Sequence, residues 1–367
     1  MGQIQFLPGH RALPSHLLAL VEEGAWGRVG QALQDGLSAN LKIAEGDTLF
    51  GVVLRALAHQ GKPGETSAAH GPLALLETFL DRGLSPEVSE RTTTVTQALA
   101  AGQWHWVDRL LSSGHPAELP GGRAALFALI EGRMARRLFG LEGQDWGDGL
   151  NAISRAKFNS DSASEVSEIH RIVAALARHG VDFEALDDDE DAEFPTTPLT
   201  LSVLYGDAVM VDALLSCGAN IKAPHRDDAS EQYLEQMHPI SLAAKEGCTA
   251  ILDVLMSHAG LDVLGAYGSD AMHVAASRGH IACLDVLLSH GIPFDAPSRS
   301  GGFRPLHQAA LNGHKEAMDW FLGRGDVWDL PSETGVSPAS VLKQFYPDIA
   351  RGYGLNGIHN IIPLKPR

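Results

Sequence analysis

Seventeen histidines, three cysteines and 45 carboxylates are the side chains of this 367-residue chain best suited to chemistry, and their spacing decides which kind. A zinc site needs His or Cys ligands in close pairs. There is no HExxH, and no His pair lies beside a Cys at zinc spacing. Cys217, Cys248 and Cys283 are odd in number and show no CxxC, which suggests a reducing compartment rather than a disulfide framework or a structural zinc. Phosphate chemistry needs a glycine loop opening a helix. No GxxxxGK[ST] occurs and no GxGxxG follows a strand, while Gly121-Gly122 and Gly301-Gly302 are too short to cradle a phosphate. No GxSxG elbow is present. No catalytic residue, metal or cofactor is therefore expected, and the chain reads as a non-enzyme.

The carboxylates are less evenly spread. Asp182, Glu184, Asp187, Asp188, Asp189, Glu190, Asp191 and Glu193 follow one another with no base among them. A calcium loop would need alternating oxygen ligands around a central Gly, which this run lacks. Asp227, Asp228, Glu231 and Glu235 form a second acidic stretch. With 28 Lys and Arg against 45 Asp and Glu, the formal charge is −17. Such a surface disfavours nucleic acid and favours a basic protein partner, whose approach it would steer. Hydrophobic residues make up 44% of the chain, enough for a sizeable core. No apolar run of about eighteen residues predicts a membrane span. The N-terminus shows no basic segment followed by an apolar run, and Phe6 stands where myristoylation wants Ser or Thr. These features predict a soluble, cytoplasmic protein with no membrane attachment.

Stepping from side chains to the elements that hold them, the glycines mark a period. Gly206, Gly279 and Gly313 each lie twelve residues before a second glycine (Gly218, Gly291, Gly325); Gly24 with Gly36 and Gly102 with Gly114 keep the same spacing, and Gly247 with Gly260 stretches it by one. Eight residues or so before the first glycine stand Thr197-Pro198-Leu199, His238-Pro239-Ile240, Asp270-Ala271-Met272 and Arg304-Pro305-Leu306, with Ser15-His16-Leu17 and Thr93-Thr94-Val95 in phase upstream. A cap residue followed by Pro starts a helix. A small pair (Ala243-Ala244, Ala275-Ala276, Ala309-Ala310) permits close helix approach. A second helix then ends on a bulky pair such as Leu110-Leu111, Leu214-Leu215 or Phe321-Leu322, and glycine closes it. Such hairpins cannot bury their apolar faces alone and must stack. Trp104 and Trp106 fall on a second-helix stripe, as core residues or as an exposed aromatic anchor.

Asp270-Ala271-Met272-His273-Val274-Ala275-Ala276-Ser277-Arg278-Gly279-His280 and Arg304-Pro305-Leu306-His307-Gln308-Ala309-Ala310-Leu311-Asn312-Gly313-His314 resemble the ankyrin repeat, clearly over about 195–327 and in degenerate form over about 13–132. The resemblance implies an all-α, ankyrin-type solenoid of about eight hairpins with a C-terminal half-repeat from Ser337, filling 1–350 as one domain before a tail, 351–367. It implies that His273 and His307 hydrogen-bond neighbouring backbone. It also implies that Tyr205, Lys245, Glu246, Arg278, Gln308 and Asn312 line a concave partner-binding groove, beside which Asp187–Asp191, Asp227 and Asp228 project on acidic fingers (the first within 181–195).

Two insertions interrupt the pattern. Residues 60–71 form a loop in the second repeat. In the fourth, the first helix is expected to end near Gly132 and its partner to resume near Glu168, leaving 133–167; Arg133, Arg136, Arg137, Leu138 and Phe139 could make a short amphipathic helix there, and Asn159–Ser164 reads as flexible. An enzyme site in this insertion would have only Asp145, Asp148 and scattered Arg to work with. The expected function is capture of one protein, basic partners being the ones the charge selects, by a chain that is monomeric when free, with an inhibitor or immunity role as its narrower form. The competing reading is an adaptor or effector that recruits a host protein in another cell through the insertion or the tail.

Overall fold

In the computed structural model the chain divides into two compact units, residues 1–145 with 162–185, and 146–161 with 186–367. The structure describes residues 14–42, 48–59, 72–89, 92–119, 124–139, 162–186, 196–222, 238–299 and 301–355. The runs Asp187–Asp191 and Asp227-Asp228 therefore lie outside the described residues, as do 60–71 and 140–161.

The first unit pairs helices α1 (Pro14–Glu22) with α2 (Trp26–Gln34), α3 (Leu49–His59) with α4 (Pro72–Asp81), α5 (Thr94–Ala100) with α6 (Trp104–Ser112), and α7 (Ala125–Phe139) with α8 (Ala163–Arg178). First helices pack in order, α1 on α3 on α5 on α7. Thr93 caps α5, its hydroxyl accepting from the Thr96 N–H at 3.0 Å. The core fills from both rows. Phe50 of α3 meets Phe79 of α4 edge-on at 5.4 Å and Trp106 of α6 at 5.7 Å. Trp104 and Trp106 are both buried, which makes them core residues and removes the exposed-anchor reading. Just before α5 the chain forms a short antiparallel ladder, β1 (Glu87–Ser89) with β2 (Thr92–Thr93), so the wholly helical expectation gives way to a helix-rich fold with a small β element.

Gly132 does not end α7, which runs on to Phe139. A Cβ built on Gly132 would lie 2.3 Å from the Ala100 carbonyl oxygen and 2.6 Å from that of Leu99. This glycine is a point of close approach between α5 and α7, not a helix stop. The partner helix likewise starts earlier than the spacing suggests. Ser162 accepts from the Glu165 N–H, and Glu165 Oε2 accepts in return from the Ser162 N–H at 3.0 Å, a reciprocal cap that sets the start at Ala163.

The second unit stacks α9 (Pro198–Leu204) and α10 (Ala208–Ser216), α11 (Pro239–Glu246) and α12 (Thr249–His258), α14 (Ser269–Arg278) and α15 (Ile281–Ser289), α16 (Pro305–Leu311) and α17 (Lys315–Leu322), and α18 (Pro338–Phe345) and α19 (Pro347–Gly352). Neighbouring hairpins pack first helix on first helix from α9 to α18 and second on second from α10 to α17. Ala243, Ala244, Ala275, Ala276, Ala309 and Ala310 are fully buried in the first row, where small side chains let neighbouring helices approach. Opposite them Leu214, Leu255, Leu287 and Phe321 are fully buried, each stabilising by about 1.5–3 kcal/mol. The half-repeat from Ser337 is thus completed by the short helix α19.

One junction breaks the rule. Gly260 has no left-handed backbone, and the chain continues from α12 through a single turn, α13 (Leu261–Val263), and a π turn (Leu264–Gly268) into α14. Asp270 is consequently inside a helix and not its cap. A side chain differs here as well. His273 Nε2 donates to the Ala296 carbonyl at 3.0 Å and His307 Nε2 to that of Val336 at 2.9 Å, pinning the connector after each second helix. In the unit before α13 that place is taken by Ser241, too short to reach; its hydroxyl is buried with no hydrogen-bond partner. This connector is helical and lays Tyr267 flat on His238, ring centroids 3.6 Å apart.

Candidate functional site

Because first helices pack side by side, their C-terminal ends fall in one row. The residues just before the turn of each hairpin are Tyr205, Glu246, Arg278, Asn312 and Phe345, with Lys245 and Leu311 one position earlier. Gln308 sits inside α16. Its carbonyl accepts from Asn312 Nδ2 at 2.9 Å. Arg278 and Asn312 are exposed; Tyr205, Lys245, Glu246 and Gln308 are half-buried. Tyr205, Lys245, Glu246, Arg278 and Asn312 are thus brought onto neighbouring helix ends, and Gln308 is not. The row also holds Leu311, 40% exposed, and Phe345, 46% exposed, which sequence reasoning did not single out.

The row is held stiffly. Against Gly247, Gly279 and Gly313 the next hairpin lays a ring. His280 Nε2 donates to the Lys245 carbonyl at 3.1 Å and His314 Nε2 to that of Ser277 at 3.0 Å. Gly279 has φ +72°, and a Cβ there would stand 2.8 Å from His314 Nδ1, so two independent constraints demand glycine. Tyr346 occupies the same place over Gly313. The recurring Gly-His pair is therefore a bracket that fixes the ends of successive first helices.

The second-helix face is differently engaged. Asp212 Oδ1 accepts from His258 Nε2 at 2.8 Å, and Asp253 Oδ1 from His290 Nε2 at 2.8 Å. Asp285 accepts from Trp320 Nε1 at 2.8 Å and Arg324 Nη2 at 3.1 Å, and Asp319 from the Tyr353 hydroxyl at 2.6 Å. Each acid belongs to one hairpin and each donor to the next. Arg109 to Glu77 and Arg171 to Asp108 repeat the device in the first unit. These acids could have been found in the sequence, since they share a phase within their helices.

Titration follows burial. His273 is pushed down to about 4 and His238 to about 3, both chiefly by desolvation, and His307 is lowered for the same reason. His273 and His307 are neutral structural donors, whereas His238 accepts from the Ile240 N–H through Nδ1 at 3.2 Å. Burial pushes the Cys283 thiol up to about 12, far from a reactive thiolate, and raises Cys217 and Cys248 as well. Among the described residues no group of three or more His, Cys, Asp or Glu is placed to hold a metal ion, and no helix is long and apolar enough to cross a membrane.

Stacked helix hairpins with a Gly-His bracket define a repeat protein. Residues 240–329, from α11 to the connector after α17, match the family model for ankyrin repeats in three copies. The chain is an ankyrin-repeat protein over that stretch, and ankyrin repeats are general protein–protein interaction modules. A search of curated proteins finds no match to the chain.

Proposed function

We propose that this chain is a non-enzymatic, cytoplasmic protein-binding module of about eight ankyrin-type hairpins and a terminal half-repeat that captures a basic-surfaced protein, as an inhibitor or immunity-type protein. One contrast carries the reading. Asp212, Asp253, Asp285 and Asp319 of the second-helix face are spent between hairpins, whereas Lys245, Glu246 and Arg278 on the first-helix row make no ion pair among the described residues. Groups held rigidly and left unengaged are suited to a partner. The formal charge of −17 and the acidic runs at Asp187–Asp191 and Asp227-Asp228 favour a basic one.

Reversing Asp187, Asp188 and Asp189 to Lys tests it. Using a partner captured by the wild-type chain, surface plasmon resonance at two salt concentrations should show slower association and a flatter salt dependence. Unchanged association and salt dependence would remove the basic-partner reading.

A further inference from the structure

The first-helix row carries charge of the opposite sign to the chain as a whole. Lys245, Arg278 and Lys343 stand in the last turns of α11, α14 and α18, against the single acid Glu246. None of the three cations has an ion-pair partner among the described residues. Between and beside them lie the exposed apolar side chains of Leu311 and Phe345. Cations in a last turn also favour the helix dipole, but that effect accounts neither for the two exposed apolar groups nor for their place in the same row.

We propose that this row seats an extended acidic segment of the partner that also carries a branched or aromatic apolar residue. The inference rests on the protein-binding reading and adds the polarity of the bound segment. Neighbouring helices lie about 8–10 Å apart, so the three intervals from α11 to α18 span about 27 Å, which an extended strand covers in about eight residues. Carboxylates about three residues apart then face Lys245 and Arg278, and an apolar side chain two or three residues further on reaches Leu311 and Phe345.

The experiment is selection of random twelve-residue peptides displayed on phage against the immobilised full-length chain, followed by anisotropy with labelled synthetic copies of the enriched peptides. Enriched peptides should hold at least two Asp or Glu and an aromatic or branched apolar residue. Lys245→Gln with Arg278→Gln should weaken them about tenfold, the sum of two modest surface pairs. Leu311→Ser with Phe345→Ser should weaken them at least as much, with melting temperature unchanged in both variants. Enriched peptides that are basic, or indifferent to both variants, overturn the inference, as does the absence of enrichment. Basic peptides that depend on Asp187, Asp188 and Asp189 would leave the wider reading standing while this one falls. Acidic peptides that bind equally well to the Asp187–Asp189 reversal support the row while leaving the basic-partner reading to its own test.

Discussion

Gly132→Ala is the most direct test of how the first unit is assembled. Elsewhere in a helix this change helps, since alanine is favoured over glycine by about 1 kcal/mol. Here the new methyl group would sit 2.3 Å and 2.6 Å from two backbone carbonyl oxygens of α5 and 2.7 Å from the Ala100 carbonyl carbon. Backbone cannot rotate aside as a side chain can, so α5 and α7 must separate by about 1 Å along a tightly packed contact. Overpacking of this kind costs about 1–3 kcal/mol and occasionally more, which outweighs the propensity gain. We expect Gly132→Ala to destabilise the first unit by up to about 2 kcal/mol net. Gly30→Ala in α2 supplies the matched control. Its added Cβ meets Leu75 Cδ1 at 3.7 Å, an ordinary contact, so it should stabilise by about 0.5–1 kcal/mol. Urea unfolding followed by circular dichroism gives the magnitudes, and hydrogen exchange on peptides from α5 and α7 localises them. If the two substitutions shift stability in the same direction, the close-approach explanation of Gly132 fails.

The buried histidines predict an acid limb in stability. His273 titrates near 6.5 when unfolded and is held down to about 4 when folded, so its contribution is complete above pH 6.5 and is lost as pH falls toward 4, with His238 and His307 acting in the same sense. The wild-type melting temperature should therefore fall over this window more steeply than that of His273→Gln; parallel curves would show that the ring is not a neutral buried donor. Asp326 behaves oppositely. It lies where Leu84, Val181, Ala219 and Ile292 are buried in other hairpins, its Oδ2 has no hydrogen-bond partner, and burial raises its pKa. Asp326→Asn, which can still accept from the Val327 N–H, should raise the melting temperature at pH 7 and lose that advantage in acid, where the wild-type carboxyl protonates; a lower melting temperature at pH 7 would mean that the 3.9 Å contact with Arg304 outweighs desolvation.

The repeating elements were legible because each rests on a local rule. Thr197-Pro198 starts a helix whatever lies nearby, since the Thr hydroxyl accepts from the Thr200 N–H and proline has no N–H to leave unpaired. The same reasoning fails wherever a residue answers to a distant neighbour. Gly132 looks like a stop until the Ala100 carbonyl is beside it. Asp270 looks like a cap until the connector before it, helical through Leu264–Gly268, runs straight into α14. Ser162 with Glu165 was readable as a reciprocal cap but sat in a Ser-rich stretch that suggested flexibility. For the candidate site, the positions of Arg278 and Asn312 followed from phase alone. Phe345 did not, because α18 departs from the repeat consensus and places an aromatic where the pattern anticipates a polar group.

What separates the two faces of each hairpin is how their hydrogen bonds are made. On the first-helix side the bracket from His280 and His314 ends on the backbone carbonyls of Lys245 and Ser277, which any residue would supply. The side chains at these positions are thereby released from structural duty, and substitution there costs the stack little. On the second-helix side the contacts are side chain to side chain, so Asp253 cannot change without stranding His290, nor Asp285 without stranding Trp320 and Arg324. Variation that alters a partner has therefore only one face on which to accumulate cheaply. The same asymmetry explains why exposed apolar groups are tolerated at Leu311 and Phe345: the stack does not depend on them, and a partner that covers them gains the burial that folding leaves unused.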